Sequence, residues 1–392
     1  MCGPRSEHSA VGRERPLIER FTAAEFFAGI GFVRLGLEQV GFKVVFANDV
    51  DERKEILYAA NFGLNDLALE DIRRITGGDV PDVDLATASF PCTDVSLAGW
   101  RKGLDGEQSG MFWEFARVLR EMGSRKPRVV MLENVPSLAS SRDGDDLRRV
   151  IAELNDLGYS CDLLELDARW WVPQSRPRVF IVGGVVAPGI KGSWGPNKMR
   201  PAWIKGFVAR YPGLRVIPCR LEEPRESGES MEAVLDEYGT GDSIWWDATR
   251  LSGFVGELSP VQAGRLESLR SSRSRTWRTA YRRTRGGKTQ WEIRKDEISG
   301  CLRAVRGGSS RQAVVEAGCG EVQVRWMTSR EYARLMGAPS YKLVGVSENF
   351  ALFALGDAVC VPAVEWLGEN YLRPLCEANR AAQEIVAVSS GV

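Results

Sequence analysis

Apolar runs that stop at a glycine, a proline or an acidic residue alternate with stretches of helical spacing from residue 21 to residue 183, and this rhythm limits the possible folds more than any other feature. Phe21 to Phe27 reads as a strand that enters Ala28-Gly29-Ile30-Gly31, and helical spacing follows over Phe32 to Val40. A second strand, Lys43 to Ala47, ends in Asn48-Asp49, and a third such position is Asp71-Ile72, after a helix through Arg53 to Asn61. Val83 to Ala88 reads as a buried strand, and Pro91 ends it because proline has no N–H for the ladder. A helix from Met111 to Met122 precedes the strand Pro127 to Leu132, which ends in Glu133-Asn134-Val135-Pro136. A helix from Asp145 to Leu157 and strands at Ser160 to Leu166 and Val179 to Gly183 continue the pattern. The expectation is an α/β fold with a doubly wound, mainly parallel sheet.

Ligands of such sheets bind at the carboxyl ends of the strands, so those ends hold the candidate site residues. A strand, glycine turn and helix suit a nucleotide-type cofactor, and Asp49, about 20 residues beyond the glycines, can accept from both ribose hydroxyls. The third glycine of a dinucleotide site is missing, and an ordinary βα turn stays open as a reading. Cys92, directly after Pro91, is either a nucleophile or a small buried hydrophobe. The glycine-punctuated segment Val95 to Gly110 carries Trp100, Arg101 and Lys102 and reads as a lid or a surface loop. Arg176 and Arg178 share one face of an extended segment, as ligand contacts or as a surface pair.

A chain of 392 residues calls for two domains. Lys and Arg total 52, as do Asp and Glu, so attraction to a polyanion must come from uneven placement of charge. The one histidine is His8, which leaves carboxylates, cysteines, arginines and backbone for catalysis. Eight cysteines without paired spacing support neither a disulfide framework nor a zinc site, and no metal is expected. No apolar leader or membrane-length run is read from the sequence, and the expected location is the cytoplasm. The strand and helix rhythm breaks at Pro188. Between Arg265 and Gln312, fourteen Lys or Arg face four acidic residues, with Trp277, Tyr281 and Trp291 interleaved. Arg273, Arg275, Arg282, Arg283, Arg285 and Lys288 are the candidate nucleic-acid contacts there, against the alternative of a solvated basic face. Thr328 and Glu331 form a capping box for a helix ending at Gly337, and Phe353 to Pro362 leads into an amphipathic helix through Leu372.

With these residues in hand, the chain resembles the DNA (cytosine-5) methyltransferases. Phe27-Ala28-Gly29-Ile30-Gly31 resembles the family's S-adenosylmethionine motif, while Asp49 and Asp71-Ile72 match its ribose and adenine positions. Phe90-Pro91-Cys92 matches the nucleophile motif, Glu133-Asn134-Val135 the Glu-Asn-Val motif, and Gln174, Arg176 and Arg178 the Gln-x-Arg-x-Arg motif. Arg330-Glu331-x-x-Arg334-Leu335 and Gly356-x-x-Val359 resemble the two closing motifs. The resemblance implies a Rossmann-like catalytic domain over 21–187, after a flexible tail over 1–20. It further implies a smaller basic target-recognition domain over 188–345 and a segment over 346–392 that returns to the catalytic domain. It implies S-adenosylmethionine as cofactor, double-stranded DNA as partner and a monomer, and leaves room for a separate cognate restriction endonuclease. By the same resemblance Cys92, Glu133, Arg176 and Arg178 are catalytic, and Phe27, Gly29, Gly31, Asp49, Asp71, Ile72 and Asp357 bind the cofactor. Thr93 stands where many members have glutamine, and Asp357 where many have asparagine. Two alternatives remain: the family's transfer-RNA branch, whose Cys-Phe-Thr signature is not found here, and an inactive DNA-binding protein of the same fold.

Overall fold

The computed structural model describes residues 21–91, 110–187, 192, 194, 197–285, 287–304 and 311–389. The strands are β1 (Phe21–Phe26), β2 (Phe42–Asp49), β3 (Leu67–Leu69), β4 (Leu85–Ala88), β5 (Val129–Asn134), β6 (Ser160–Asp167), β7 (Pro177–Gly184), β8 (Thr276–Arg285), β9 (Lys288–Ile293), β10 (Ala313–Gly318) and β11 (Glu321–Trp326). The helices of the first half are α1 (Phe32–Gln39), α2 (Glu52–Phe62), α3 (Met111–Glu121), α4 (Asp145–Asp156), α5 (Ala202–Arg210) and α6 (Met231–Val234). Those of the second half are α7 (Ala248–Gly256), α8 (Pro260–Arg270), α9 (Ser329–Leu335), α10 (Glu348–Asp357), α11 (Val361–Leu367) and α12 (Arg373–Ser389).

The large sheet has the order β3-β2-β1-β4-β5-β7-β6. Neighbours are parallel except at β7, which runs antiparallel to both β5 and β6. The carboxyl ends of β1, β2, β4 and β5 therefore open on one edge, and β7 starts at that same edge, so Arg178 near its beginning lies beside Glu133 near the end of β5. Helices cover both faces of the sheet. On one, α1 and α11 pack Val33 and Leu37 against Val361, Val364 and Leu367. On the other, α3 and α4 bury Phe112, Phe115, Leu119, Leu147, Val150, Ile151 and Leu154. In α4 the buried positions 147, 150, 151 and 154 recur at helical spacing, behind acidic Asp145 and Asp146 in its first turn, where negative charge favours a helix. Each large apolar side chain buried in this way contributes roughly 1.5–3 kcal/mol.

A second sheet, ordered β11-β10-β8-β9 and antiparallel throughout, carries its own core of Phe254, Leu266, Trp291, Ile293, Val315 and Val324. The stretch after Pro188, which shows no period in the sequence, still packs on the large sheet through Ile204 and Phe207 of α5. Residues 353–357 belong to helix α10, capped by Ser347, instead of leading into the next helix. α10 buries Ala351, Leu352, Ala354 and Leu355 on several sides and so gives no amphipathic period to read. The expectation of no membrane-length run also needs correction: Glu348–Ile385 is a helical stretch of sufficient length and apolarity, but most of its apolar window is buried against the rest of the protein, as in a core helix. The Thr328–Glu331 capping box forms as expected.

Candidate active site at the carboxyl edge of the large sheet

The five residues Phe27 to Gly31 turn β1 into α1, and three of them have positive φ: Phe27 at 58°, Gly29 at 59° and Gly31 at 77°. Phe27 holds a conformation that side chains rarely adopt, as strained residues at binding sites do. Gly31 is required, because a Cβ there would lie 2.5 Å from Phe62 Cε2. Over Gly29 the space is open apart from Lys54, 3.9 Å from the position a Cβ would take. The Ile30 carbonyl accepts from the Tyr341 hydroxyl at 2.6 Å, so the C-terminal part of the chain braces the turn.

Asp49 ends β2 beside this turn. Its Oδ2 accepts the Gly29 N–H at 2.7 Å, and its Oδ1 accepts the N–H groups of Val50 and Asp51 at 2.9 Å each. The adjacent Val50 side chain is 65 % exposed, an apolar surface next to a carboxylate. Asn48, to which the sequence assigns no role, donates through Nδ2 to the carbonyls of Ala68 (3.0 Å) and Glu70 (2.7 Å) and fixes the end of β3. Asp71 and Ile72 follow β3 as a turn. Hydrogen bonds from Arg73 hold the Asp71 carboxyl below its ordinary pKa, while the Ile72 side chain is buried in the core and its carbonyl accepts from Arg117. Behind the turn, Glu25 on β1 is 2 % exposed, and its Oε2 has no hydrogen bond among the described residues. Burial pushes its carboxyl up to about 8, against the pull of the Arg34 N–H and guanidinium.

A second cluster lies at β5 and β7. Glu133 Oε1 is 3.0 Å from Arg178 Nε, and both side chains are nearly buried. Burial raises the Glu133 carboxyl above its ordinary pKa, Arg178 and Arg176 pull it down, and Asp357 pushes it up. Asn134 donates through Nδ2 to the Phe90 carbonyl at 3.0 Å, fixing the backbone two residues before Cys92. Cys92, Trp100, Arg101 and Lys102 lie outside the described residues. Arg176 is buried, with Nη1 on the Leu302 carbonyl at 2.6 Å and Nη2 on those of Gly356 (3.0 Å) and Ala358 (2.5 Å). Gln174, fully buried, donates to the Leu335 carbonyl at 2.7 Å and accepts the Leu302 N–H at 3.1 Å. These two residues tie β7 to Leu302, to the end of α9 and to the joint between α10 and α11. Cys301, with no motif to mark it, lies 3.5 Å from Arg176 Nη1 and 3.9 Å from Arg178 Nη2. Burial alone would raise its thiol; the two arginines outweigh that, and its net shift is downward.

Asp357 is the last residue of α10, with Oδ2 2.6 Å from Lys54 Nζ. Around the second sheet Arg275 pairs with Glu316 (2.7 Å), Arg282 with Glu257 (3.4 Å) and Arg283 with Glu292 (3.6 Å). Arg273 and Lys288 are exposed, and Arg285 lies on β8. Among the described residues no group of three or more His, Cys, Asp or Glu is placed to hold a metal ion. The left-handed turn, the carboxylate at the end of β2, the open space over Gly29 and the orphaned Glu25 oxygen suit a ligand with ribose hydroxyls and a cationic end, and S-adenosylmethionine fits that donor set.

Comparison with known proteins agrees with this geometry. Residues 21–373 match the family model for C-5 cytosine-specific DNA methylase. The chain is 42 % identical to the type II methyltransferase M.Bsp6I of Bacillus sp. (strain RFL6) over 164 residues, 41 % of this chain and about half (51 %) of that relative. It is 27 % identical to M.HpaII of Haemophilus parainfluenzae over 92 % of this chain and 91 % of the relative. Among solved structures, the Entamoeba histolytica methyltransferase EhMeth superposes with a TM-score of 0.62 at 14 % identity, covering 92 % of this chain and 99 % of its own. The S. pombe Dnmt2 methyltransferase superposes with a TM-score of 0.58 at 18 % identity, covering 91 % of this chain and 99 % of its own. At those identities the likeness is one of fold, a Rossmann-like sheet with a second antiparallel sheet. The family match spans most of the length, and the chain belongs to the C-5 cytosine-specific DNA methylases, which use S-adenosylmethionine as methyl donor.

Proposed function

We propose that the protein methylates C5 of a cytosine flipped out of double-stranded DNA at a specific sequence, through a covalent bond between Cys92 and C6. The observation that carries this reading is the buried Glu133–Arg178 pair beside an Asn134-anchored Phe90 carbonyl, which brings an acid, a cation and the backbone leading to the cysteine to one sheet edge. When bound, S-adenosylmethionine supplies an electrophilic methyl group, and Phe27, Gly29, Gly31, Asp49, Asp71, Ile72 and Asp357 would hold it. C5 of cytosine is too weak a nucleophile unaided. Addition of the Cys92 thiolate to C6 makes C5 part of an enamine. The charge that develops on the ring is absorbed by a proton from Glu133 to N3 and by Arg178 at O2. The upward shift of the Glu133 carboxyl favours the proton-bearing form that this step needs. After methyl transfer a water removes the C5 proton, the C5–C6 double bond reforms as the thiolate leaves, and N3 returns its proton to Glu133. Arg176 acts on Cys92 by charge and by fixing the neighbouring segments.

None of this chemistry can reach a stacked base, so the target must leave the duplex. Residues 188–345 would form the target-recognition domain, with Arg273, Arg275, Arg282, Arg283, Arg285 and Lys288 at the DNA and Trp100, Arg101 and Lys102 in a loop closing over the base. The type II relatives favour a restriction-modification or other defence context; in this reading the protein acts as a monomer in a bacterial cytoplasm, with any cognate endonuclease acting separately. Incubation with duplex DNA carrying 5-fluorocytosine tests the reading, because fluorine cannot leave C5 as a proton does. A denaturation-resistant adduct with the wild type and none with Cys92→Ser is expected. Trapping by RNA alone would overturn it.

A further inference from the structure

Lys54 belongs to none of the motifs discussed above, yet its ammonium occupies the most informative position in the cofactor cleft. It lies on the first turn of α2, directly beyond β2 and Asp49. Its side chain is only 14 % exposed, and its Nζ is 2.6 Å from Asp357 Oδ2, whose side chain is half exposed. It also faces the glycine turn: a Cβ built on Gly29 would be 3.9 Å from both Cδ and Nζ of Lys54, with no other heavy atom that close among the described residues beyond the chain neighbours. Gly29 thus stands between two groups, its N–H on Asp49 and its open face under Lys54.

Asp357 is itself firmly placed. The carbonyls on either side of it, those of Gly356 and Ala358, both accept from Arg176 Nη2. A fixed carboxylate and a nearly buried ammonium therefore lie side by side over the turn. The amino-acid end of S-adenosylmethionine carries the opposite arrangement, an α-carboxylate and an α-ammonium. Such a zwitterion can enter an ion pair and exchange one charge contact for two, without leaving either side chain buried and unpaired.

We propose that Lys54 is a cofactor-binding residue that grips the donor's α-carboxylate while Asp357 takes its α-ammonium, a reading that rests on assigning the glycine turn to the donor. The competing role is a staple between α2 and α10 that never touches the ligand.

Two ligands separate these roles: S-adenosylhomocysteine, which has the amino-acid end, and 5′-methylthioadenosine, which has the adenosine and lacks that end. Calorimetric titration of the full chain is expected to show that Lys54→Gln weakens S-adenosylhomocysteine at least tenfold and 5′-methylthioadenosine less than twofold. Asp357→Asn keeps an oxygen for the ammonium and should change S-adenosylhomocysteine affinity less than tenfold. Lys54→Arg, which preserves the charge, should recover most of the loss and keeps the test usable if Lys54→Gln does not fold. Equal losses for the two ligands, no loss with Lys54→Gln, or equal effects of Lys54→Gln and Asp357→Asn would overturn the proposal. A wild type that binds neither ligand, or a Gly31→Ala variant that binds both unchanged, would instead overturn the assignment of the turn beneath it.

Discussion

At the scale of single residues the site is organised by charges kept out of water, and Glu25 is the clearest case. It sits on β1 two residues before the left-handed Phe27, is almost fully buried, and has a carboxyl pushed by burial from 4.5 up to about 8. In the unfolded chain that carboxyl returns to its ordinary value. Between pH 4.5 and about 8 the folded protein therefore holds a proton that the unfolded chain has released. Glu25 favours the fold most fully below the lower value, and the contribution is lost as pH rises through the upper one. A glutamine at this position cannot titrate. Wild type and Glu25→Gln should differ in urea-unfolding free energy by an amount that drifts with pH from 5.5 to 8.5, with the wild type losing ground as pH rises; parallel profiles would mean that Glu25 does not titrate in this range. Glu133, also buried, has two guanidiniums close by, and Glu25 has one.

At the scale of elements, the turn from β1 to α1 shows what sequence patterning could and could not reveal. The strand, the glycines and the helix were legible because their signals are local, as were β5 with Glu133 near its end and the capping box of α9. What selects each glycine was not, since the neighbour that requires Gly31 is Phe62, at the far end of α2. The two glycines should accordingly respond differently to a methyl group. Gly29→Ala meets only the end of the flexible Lys54 side chain and pays for its left-handed conformation, about 1 kcal/mol. Gly31→Ala adds a clash with the Phe62 and Tyr58 rings and should cost at least 1 kcal/mol more in chemical denaturation, on the scale of overpacked cores. Similar losses at both sites would mean that the rings move aside freely. The long-range partners of Asn48, Asn134, Gln174 and Tyr341 were illegible for the same reason: they are backbone carbonyls brought near only by the fold. α10 was missed because burial on several sides erases helical periodicity.

At the scale of the whole molecule, the charge around the second sheet is less one-sided than its sequence window. Fourteen basic residues against four acidic ones between 265 and 312 read as a large excess. The fold brings in Glu257 and Glu316 from outside that window to Arg282 and Arg275, and Arg283 meets Glu292 across the β8–β9 hairpin. An arginine that already faces a carboxylate must exchange it for a phosphate, so it gains less on binding DNA and changes the local ion atmosphere less. Arg273 and Lys288 are exposed, with no ion pair to an acidic side chain among the described residues. If both contact phosphate, their joint replacement by alanine should reduce the slope of log affinity against log salt by nearly 2, at about 0.9 per phosphate contact in duplex DNA. Arg275→Ala should change that slope by clearly less than one contact's worth, because its removal also releases Glu316 to repel the phosphates. Binding isotherms on one duplex at several salt concentrations decide the matter. A larger slope change for Arg275→Ala than for the Arg273→Ala, Lys288→Ala pair would show that the ion-paired arginines, rather than the exposed cations, carry the electrostatic contact with DNA.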